Sequence, residues 1–335
     1  MVRIDPMNRY ARQQTVPEFG IEGQQKLQHA KLLVVGAGGL ASPLQQYLVG
    51  AGVGQITLVD HDQVDLSNLH RQTLFCETDQ GQPKAVVMQR RLSVLNPDTS
   101  VVAKICFLDP SNVKELVNGH DLVLDCADSF AVSYVLSDEC KSRKIPMVSA
   151  SVLGLFGYVG VFCGNGPSLR AVFPELPTRL GNCAVNGVLG PVVGTLGSLQ
   201  AQLTIACLIG QKPSALGQLS TFDANTFRFG GFSFFDAPEP LVNHHFIAPN
   251  QILPDDLVID LRSSEEAELV MPTALRLDVA QIKNLKLCHD IDRRIALCCR
   301  SGLRSWQAAE ILAQTWSGQI VLVALGDSPT LEKFL

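Results

Sequence analysis

The residues best placed for chemistry begin at Gly36-Ala37-Gly38-Gly39-Leu40-Ala41, between an apolar run and a helical pattern. In that setting Gly36 permits a tight turn and Gly38, beside Gly39, lets backbone N–H groups approach a phosphate. Ala41 keeps helix and strand close, and the helix N-terminus faces the anion. Asp60 closes the next apolar run, where a carboxylate can accept from ribose hydroxyls. These features alone also fit a nicotinamide-dependent oxidoreductase. The stretch after Asp60 is different: Asp62, Asp65, Ser67, Asn68, His70, Arg71 and Gln72 crowd a short segment, and Lys84 opens a helix after Gly81-Gln82-Pro83. Asp125-Cys126-Ala127-Asp128-Ser129 follows another apolar run. A purine triphosphate needs cations for its phosphates and carboxylates for Mg²⁺ and ribose, and Arg71, Lys84, Asp128 and Asp60 supply that set.

Two of the ten cysteines stand apart by their neighbours. Cys299-Arg300-Ser301-Gly302-Leu303-Arg304 runs from a strand pattern into a helical one. Such a loop can turn its N–H groups onto the sulfur, and two arginines add positive field, which favours a thiolate or persulfide. Cys298, one residue earlier, is expected on the opposite face. Cys183 lies in a glycine-bearing loop, Gly181 to Pro191, and could carry a covalent intermediate or simply pack.

The elements that would position these residues alternate. Strands are expected at 31–36, 55–60, 101–107, 121–125, 146–151 and 158–162, with helices at 40–51 and 84–95. That pattern predicts a doubly wound, mostly parallel α/β domain over 1–235. Residues 236–253, with three prolines and the His244-His245 pair, read as a solvated linker. A smaller α/β domain is expected over 254–335, with strands at 257–261, 294–297 and 319–324 and a helix at 305–314.

Composition narrows the classes. The chain is 46% apolar with a net charge of −5, which supplies a large core and argues against nucleic-acid partners. No leader pattern or uninterrupted apolar span suggests a membrane, so the cytoplasm is expected. The ten cysteines form no C-x-x-C pair and suit a reducing compartment.

The motifs resemble those of the MoeB/ThiF/HesA family of ubiquitin-activating-type adenylyltransferases. The matches are Arg9-Tyr10-Ala11-Arg12-Gln13, residues 36–43, 60–72 and 81–84, and 125–129. The resemblance implies that Asp60 holds the ribose, that Asn68, Arg71 and Lys84 bind phosphates, and that Asp128 binds Mg²⁺. Asp62, Ser67, Gln72 and Ser129 would complete the ATP site, and Arg12 would reach across a homodimer into the partner's site. Members commonly carry structural zinc on two C-x-x-C pairs. Here Ser168 and Ala171 stand in the first pair and the second region lacks cysteine, so no zinc is expected and apolar packing should hold this region. Cys183 matches the family's cysteine loop. Residues 299–304 and 258–262 resemble the active loop and opening strand of a single-domain rhodanese.

Together these imply ATP- and Mg²⁺-dependent adenylylation of the C-terminal glycine of a ubiquitin-like sulfur carrier, with Cys299 as the persulfide that donates sulfur. The donor upstream would be a cysteine desulfurase or thiosulfate. Molybdopterin synthesis is the expected pathway and thiamine-thiazole synthesis the alternative. A non-catalytic carrier-binding scaffold and the oxidoreductase are the other classes left open.

Overall fold

The structure, a computed structural model, describes residues 9–174, 187–241, 244–285 and 293–326. Two helices lead in, α1 (Ala11–Gln14) and α2 (Gly20–His29). There follow β1 (Lys31–Val35), α3 (Ala41–Gly50), β2 (Gln55–Val59), α4 (Lys84–Leu95), β3 (Ser100–Lys104) and α5 (Val113–Val117). Next come β4 (Leu122–Asp125), α6 (Phe130–Arg143), β5 (Pro146–Leu153), β6 (Phe156–Cys163), α7 (Leu169–Val172) and α8 (Gly190–Ile209). The hairpin β7 (Gln218–Asp223) and β8 (Arg228–Ser233) precedes β9 (His245–Phe246), β10 (Leu257–Asp260), β11 (Leu275–Arg276), β12 (Ile295–Cys299), α9 (Leu303–Leu312) and β13 (Ile320–Ala324).

Among the described residues the first sheet runs β3-β2-β1-β4-β5-β6-β7-β8. It is parallel through β5 and antiparallel beyond. β1, β2 and β4 are apolar and buried almost throughout, because helices cover both faces. Strand order reverses between β1 and β4, which opens a crevice at their carboxyl ends. α4 stops at extended Asn96 (φ −148°), as Pro97 disfavours a helical residue before it. α8 is long and apolar enough to suit a membrane span, yet half of that stretch is buried, against α2, α3, β5 and β6.

The second sheet runs β11-β10-β12-β13-β9, all parallel. Several expectations change here. β3 ends at Lys104 rather than residue 107. The stretch 236–253, expected as a solvated linker, contributes β9 to the edge of this sheet, and Phe246, Ala248 and His244 are buried. His244 lies edge-on to Trp306, with Nε2 3.5 Å from Glu310. The region expected to rest on apolar packing buries Leu169 and Phe234 in the core and adds a polar clasp. Glu239 accepts from the Ser168 N–H (2.8 Å) and hydroxyl (2.6 Å) and pairs with Lys141 (2.9 Å). Ser168 occupies the first expected ligand position, and its short hydroxyl meets a long carboxylate there.

One apolar cluster joins the two sheets. It runs from Leu33, Val123 and Phe162 through Tyr134 to Trp306, Leu297 and Cys299. At its centre Trp306 of α9 meets Tyr134 of α6, ring centroids 5.3 Å apart. The Arg170 guanidinium lies 4.8 Å from the Tyr134 ring centre and 5.2 Å from that of Trp306. Two hydrogen bonds to Asp138, 2.7 and 2.8 Å long, fix its plane.

Candidate active site

The crevice between β1 and β4 gathers most of the residues singled out in the sequence. Gly36 takes φ +96°, and a Cβ there would sit 2.6 Å from the Cys126 carbonyl oxygen. Only glycine allows the two strand ends to approach this closely. Ala37 N–H donates to Asp60 Oδ2 (2.6 Å) and Asp62 N–H to Asp60 Oδ1 (2.7 Å), so Asp60 is locked beside the glycine turn. Burial pushes the Asp60 carboxyl above its ordinary range, against the pull of those two N–H groups and of Lys84.

Lys84 begins α4, mostly buried, and its Nζ meets Asp62 at 2.8 Å. Its position is set twice, since Lys84 N–H also donates to the Asp62 carbonyl. A short 3₁₀ turn, Leu66–Asn68, is capped by Asp65, which accepts from Ser67 N–H at 2.8 Å. That turn points Asn68 Oδ1 at Gln72 Nε2, 3.0 Å away. Gln72 is buried beside Gly38, and its Oε1 has no partner among the described residues. A buried acceptor left open in this way suits a hydroxyl or amino group of a ligand. Arg71 Nη1 rests on the Ser67 carbonyl (3.3 Å) and on His70 (2.7 Å).

Across the crevice, Asp125 is fully buried. Its Oδ2 accepts from the Ser149 hydroxyl (2.7 Å) and its Oδ1 from Ala127 N–H (3.2 Å). Burial raises its pKa, opposed by hydrogen bonds from Ser133, Ser149 and Ala127. Asp128 follows at the mouth, exposed, and Ser129 stands at the N-cap position of α6 without a capping hydrogen bond from its side chain.

Two expected participants stand apart. Arg12 is exposed on α1, where Gln13 Nε2 donates to the Ala51 carbonyl at the C-terminal end of α3 (2.8 Å). The glycine turn lies at the opposite end of that ten-residue helix, about 15 Å along its axis. Cys183 lies outside the described residues.

The cysteine loop forms a cradle. Gly302 N–H (3.1 Å) and Ser305 N–H (3.4 Å) both point at Cys299 Sγ. Cys298 faces the other way, buried with Ala296 and Val323, and burial raises its thiol pKa. Arg304 makes no hydrogen bond to the sulfur, but its charge still couples to it: its pKa is raised first by Glu266 and also by Cys299. It pairs with both Glu266 oxygens (2.8 and 2.6 Å) and holds the Leu261 carbonyl, while Arg300 and Ser301 stay at the surface. Cys299 itself has no exposed surface. Its loop is pressed on α6 of the first unit, since a Cβ on Gly302 would sit 2.7 Å from the Phe246 ring and 3.0 Å from Ala131 Cβ. Ala131 lies three residues beyond Asp128. Phe107, past the end of β3, touches the turn at Gly326 and stacks edge-on with His61, centroids 5.0 Å apart.

The sequence model of the ThiF family matches residues 10–242, and so takes in the whole crevice. The chain belongs to the ThiF family. The chain is 41% identical over 228 residues to an adenylyltransferase and sulfurtransferase MOCS3 of Drosophila sechellia, covering 67% of this chain and 50% of that protein. It is 46% identical over 205 residues to the adenylyltransferase and sulfurtransferase UBA4 of Yarrowia lipolytica, 60% of this chain and 52% of that one. These matches thus span about half the length of the curated relatives. The fold is shared with Escherichia coli MccB solved with AMPCPP and MccA, at TM-score 0.62 and 22% identity over 70% of this chain and 73% of the other.

Gln200, a polar residue within the apolar run 185–209 to which the sequence assigns no role, ties α8 to the ends of β4 and β5. A fully buried amide inside an apolar 20-residue helix was the available signal.

Proposed function

We propose that this chain adenylylates the C-terminal glycine of a ubiquitin-like sulfur carrier with ATP and then passes sulfur to it from a Cys299 persulfide. The observation that carries the reading is the convergence of the Gly36 turn, Asp60, Asn68, Arg71, Lys84 and Asp128 on one strand-end crevice. The names of the relatives, which pair adenylyltransferase with sulfurtransferase, support both halves. Asp60 would accept from the ribose hydroxyls. Asn68, Arg71 and Lys84 would bind the triphosphate, with Asp62, Ser67, Gln72 and Ser129 around it. Lys84 must then exchange Asp62 for phosphate. Mg²⁺ suits Asp128, an exposed oxygen donor with no hydrogen bond or ion pair among the described residues, and would neutralise phosphate charge there.

The carrier carboxylate attacks the α-phosphorus, a new P–O bond forms, and the bond to pyrophosphate breaks. No proton need move, so catalysis rests on alignment and charge neutralisation. The terminal persulfide sulfur then attacks the acyl-adenylate carbonyl and AMP leaves. A thiol reductant cleaves the resulting S–S bond and releases the thiocarboxylate, a role open to Cys183. Arg12, remote from its own crevice, is assigned to that of a partner subunit in a homodimer. Molybdopterin synthesis is the pathway we favour. Exchange of labelled pyrophosphate into ATP, dependent on a carrier with a free C-terminal glycine, tests the first half. Carrier-independent release of ADP would refute it.

A further inference from the structure

α8 runs along the crevice from the Arg71 turn past Gly39 to the end of β4. Near its start, a Cβ on Gly190 would lie 2.5 Å from the His70 carbonyl oxygen and 3.6 Å from Arg71 Cα. One turn on, Val193 Cγ1 packs over Gly39, where a Cβ would meet it at 2.8 Å. These contacts are apolar or steric. Two turns further the helix makes a hydrogen-bonded one. Gln200 Nε2 donates to the carbonyls of Asp125 (2.9 Å) and Val148 (3.0 Å), and the Cys126 thiol donates to Gln200 Oε1 (3.4 Å).

The Gln200 amide is wholly buried and both its ends are engaged. It therefore grips the segment that passes from β4 into the Asp128 turn. From the other side the Asp125 carboxylate holds the same turn, through Ala127 N–H and the Ser149 hydroxyl. The Cys126 carbonyl between them is the surface against which Gly36 closes. A shift at Gln200 would thus move Asp128 and the glycine turn together, without touching a nucleotide. Replacing the amide by an apolar group would leave the Cys126 thiol without its acceptor and reduce the hold on the Asp125 and Val148 carbonyls to the β4–β5 ladder alone, so the turn would be less firmly set.

We propose that Gln200 is a positioning residue that sets the Asp125–Asp128 turn for cation-assisted nucleotide binding. The inference rests on the ATP reading above and assigns Gln200 no contact with substrate. Gln200→Leu and Gln200→Glu, in the full chain, separate positioning from mere support. Calorimetric binding of AMPCPP is measured with and without Mg²⁺, beside thermal melting. Metal affinity lost with an outer-shell partner is on the order of tenfold or more. Half-saturating Mg²⁺ should therefore rise about tenfold, while AMPCPP binding without Mg²⁺ stays within about twofold of wild type. Ser149→Ala, which removes the other hold on Asp125, should shift the Mg²⁺ requirement in the same direction, and it decides the matter if neither Gln200 variant folds. An unchanged Mg²⁺ requirement with a lowered melting temperature would overturn the proposal. Wild-type protein that binds AMPCPP but shows no carrier-dependent pyrophosphate exchange would instead refute the proposed reaction and leave Gln200 standing.

Discussion

Ala131→Leu should open the route to Cys299. Ala131 is buried on the first turn of α6, and its methyl faces Gly302 so closely that a single carbon added there would lie 3.0 Å from it. Leucine brings three more carbons to that point and remains a good helix former, so α6 itself should not suffer. Overpacking of this kind costs about 2 kcal/mol. Separation of the cysteine loop from α6 would relieve the strain. At 1.4 kcal/mol per tenfold, the separated population should rise roughly thirtyfold. When closure is fast compared with alkylation, labelling follows that population. Iodoacetamide modification of the Cys299 peptide, followed by mass spectrometry, should therefore speed up by about the same factor, with the labelling of buried Cys140 and Cys163 unchanged. Wild-type labelling rates at Cys299 in a folded variant would refute the view that docking on α6 seals the thiol. A parallel rise at all three cysteines would point to general loosening instead.

Lys84→Ala should lower kcat/KM for pyrophosphate exchange by about a hundredfold or more, as expected for loss of a preorganised cation; a smaller loss would remove Lys84 from the phosphate site. Cys299→Ala should leave that exchange near wild type and abolish thiocarboxylate formation from a persulfide donor, both read in single-turnover assays. Glu239→Gln should cost about 1 kcal/mol at neutral pH, discounted for partial exposure, or about 1–2 °C in Tm. Burial alone would raise the Glu239 pKa, but hydrogen bonds from Ser168 and Lys141 hold it below its ordinary 4.5. Its contribution is thus full above pH 4.5 and fades as pH falls through the lowered value, so variant and wild-type melting curves should converge in acid.

The crevice was legible because its physics is local. A parallel strand buried on both faces leaves an unbroken apolar run, and a phosphate turn leaves glycines just after it, so residues 31–41 declare themselves. Cys298 and Cys299 divide between faces by strand alternation alone. The hairpin β7–β8 left no such trace, since β8 is exposed at every position, phenylalanines included. β9 is two residues long and sits among prolines, and a long-range parallel pairing supplies its stability. Gln200, Glu239 and the contact of Gly302 with Ala131 depend on residues more than 50 positions apart. No local pattern encodes such meetings.

The Glu239 clasp also sets the length of a leash. It pins the chain to the ThiF unit only five residues before His244, which is buried against Trp306 of α9. Five residues reach at most about 18 Å when fully extended. A cysteine loop lifted from α6 could therefore swing about its tether but not wander, and its sulfur would stay at high local concentration around the same chain's acyl-adenylate. With the clasp broken, the next firm anchor is Phe234, buried against Phe162. The leash then spans ten residues and about 36 Å, and the accessible volume grows about eightfold by simple cubic scaling of reach. One carboxylate on a serine would thus govern how far the sulfur donor can stray.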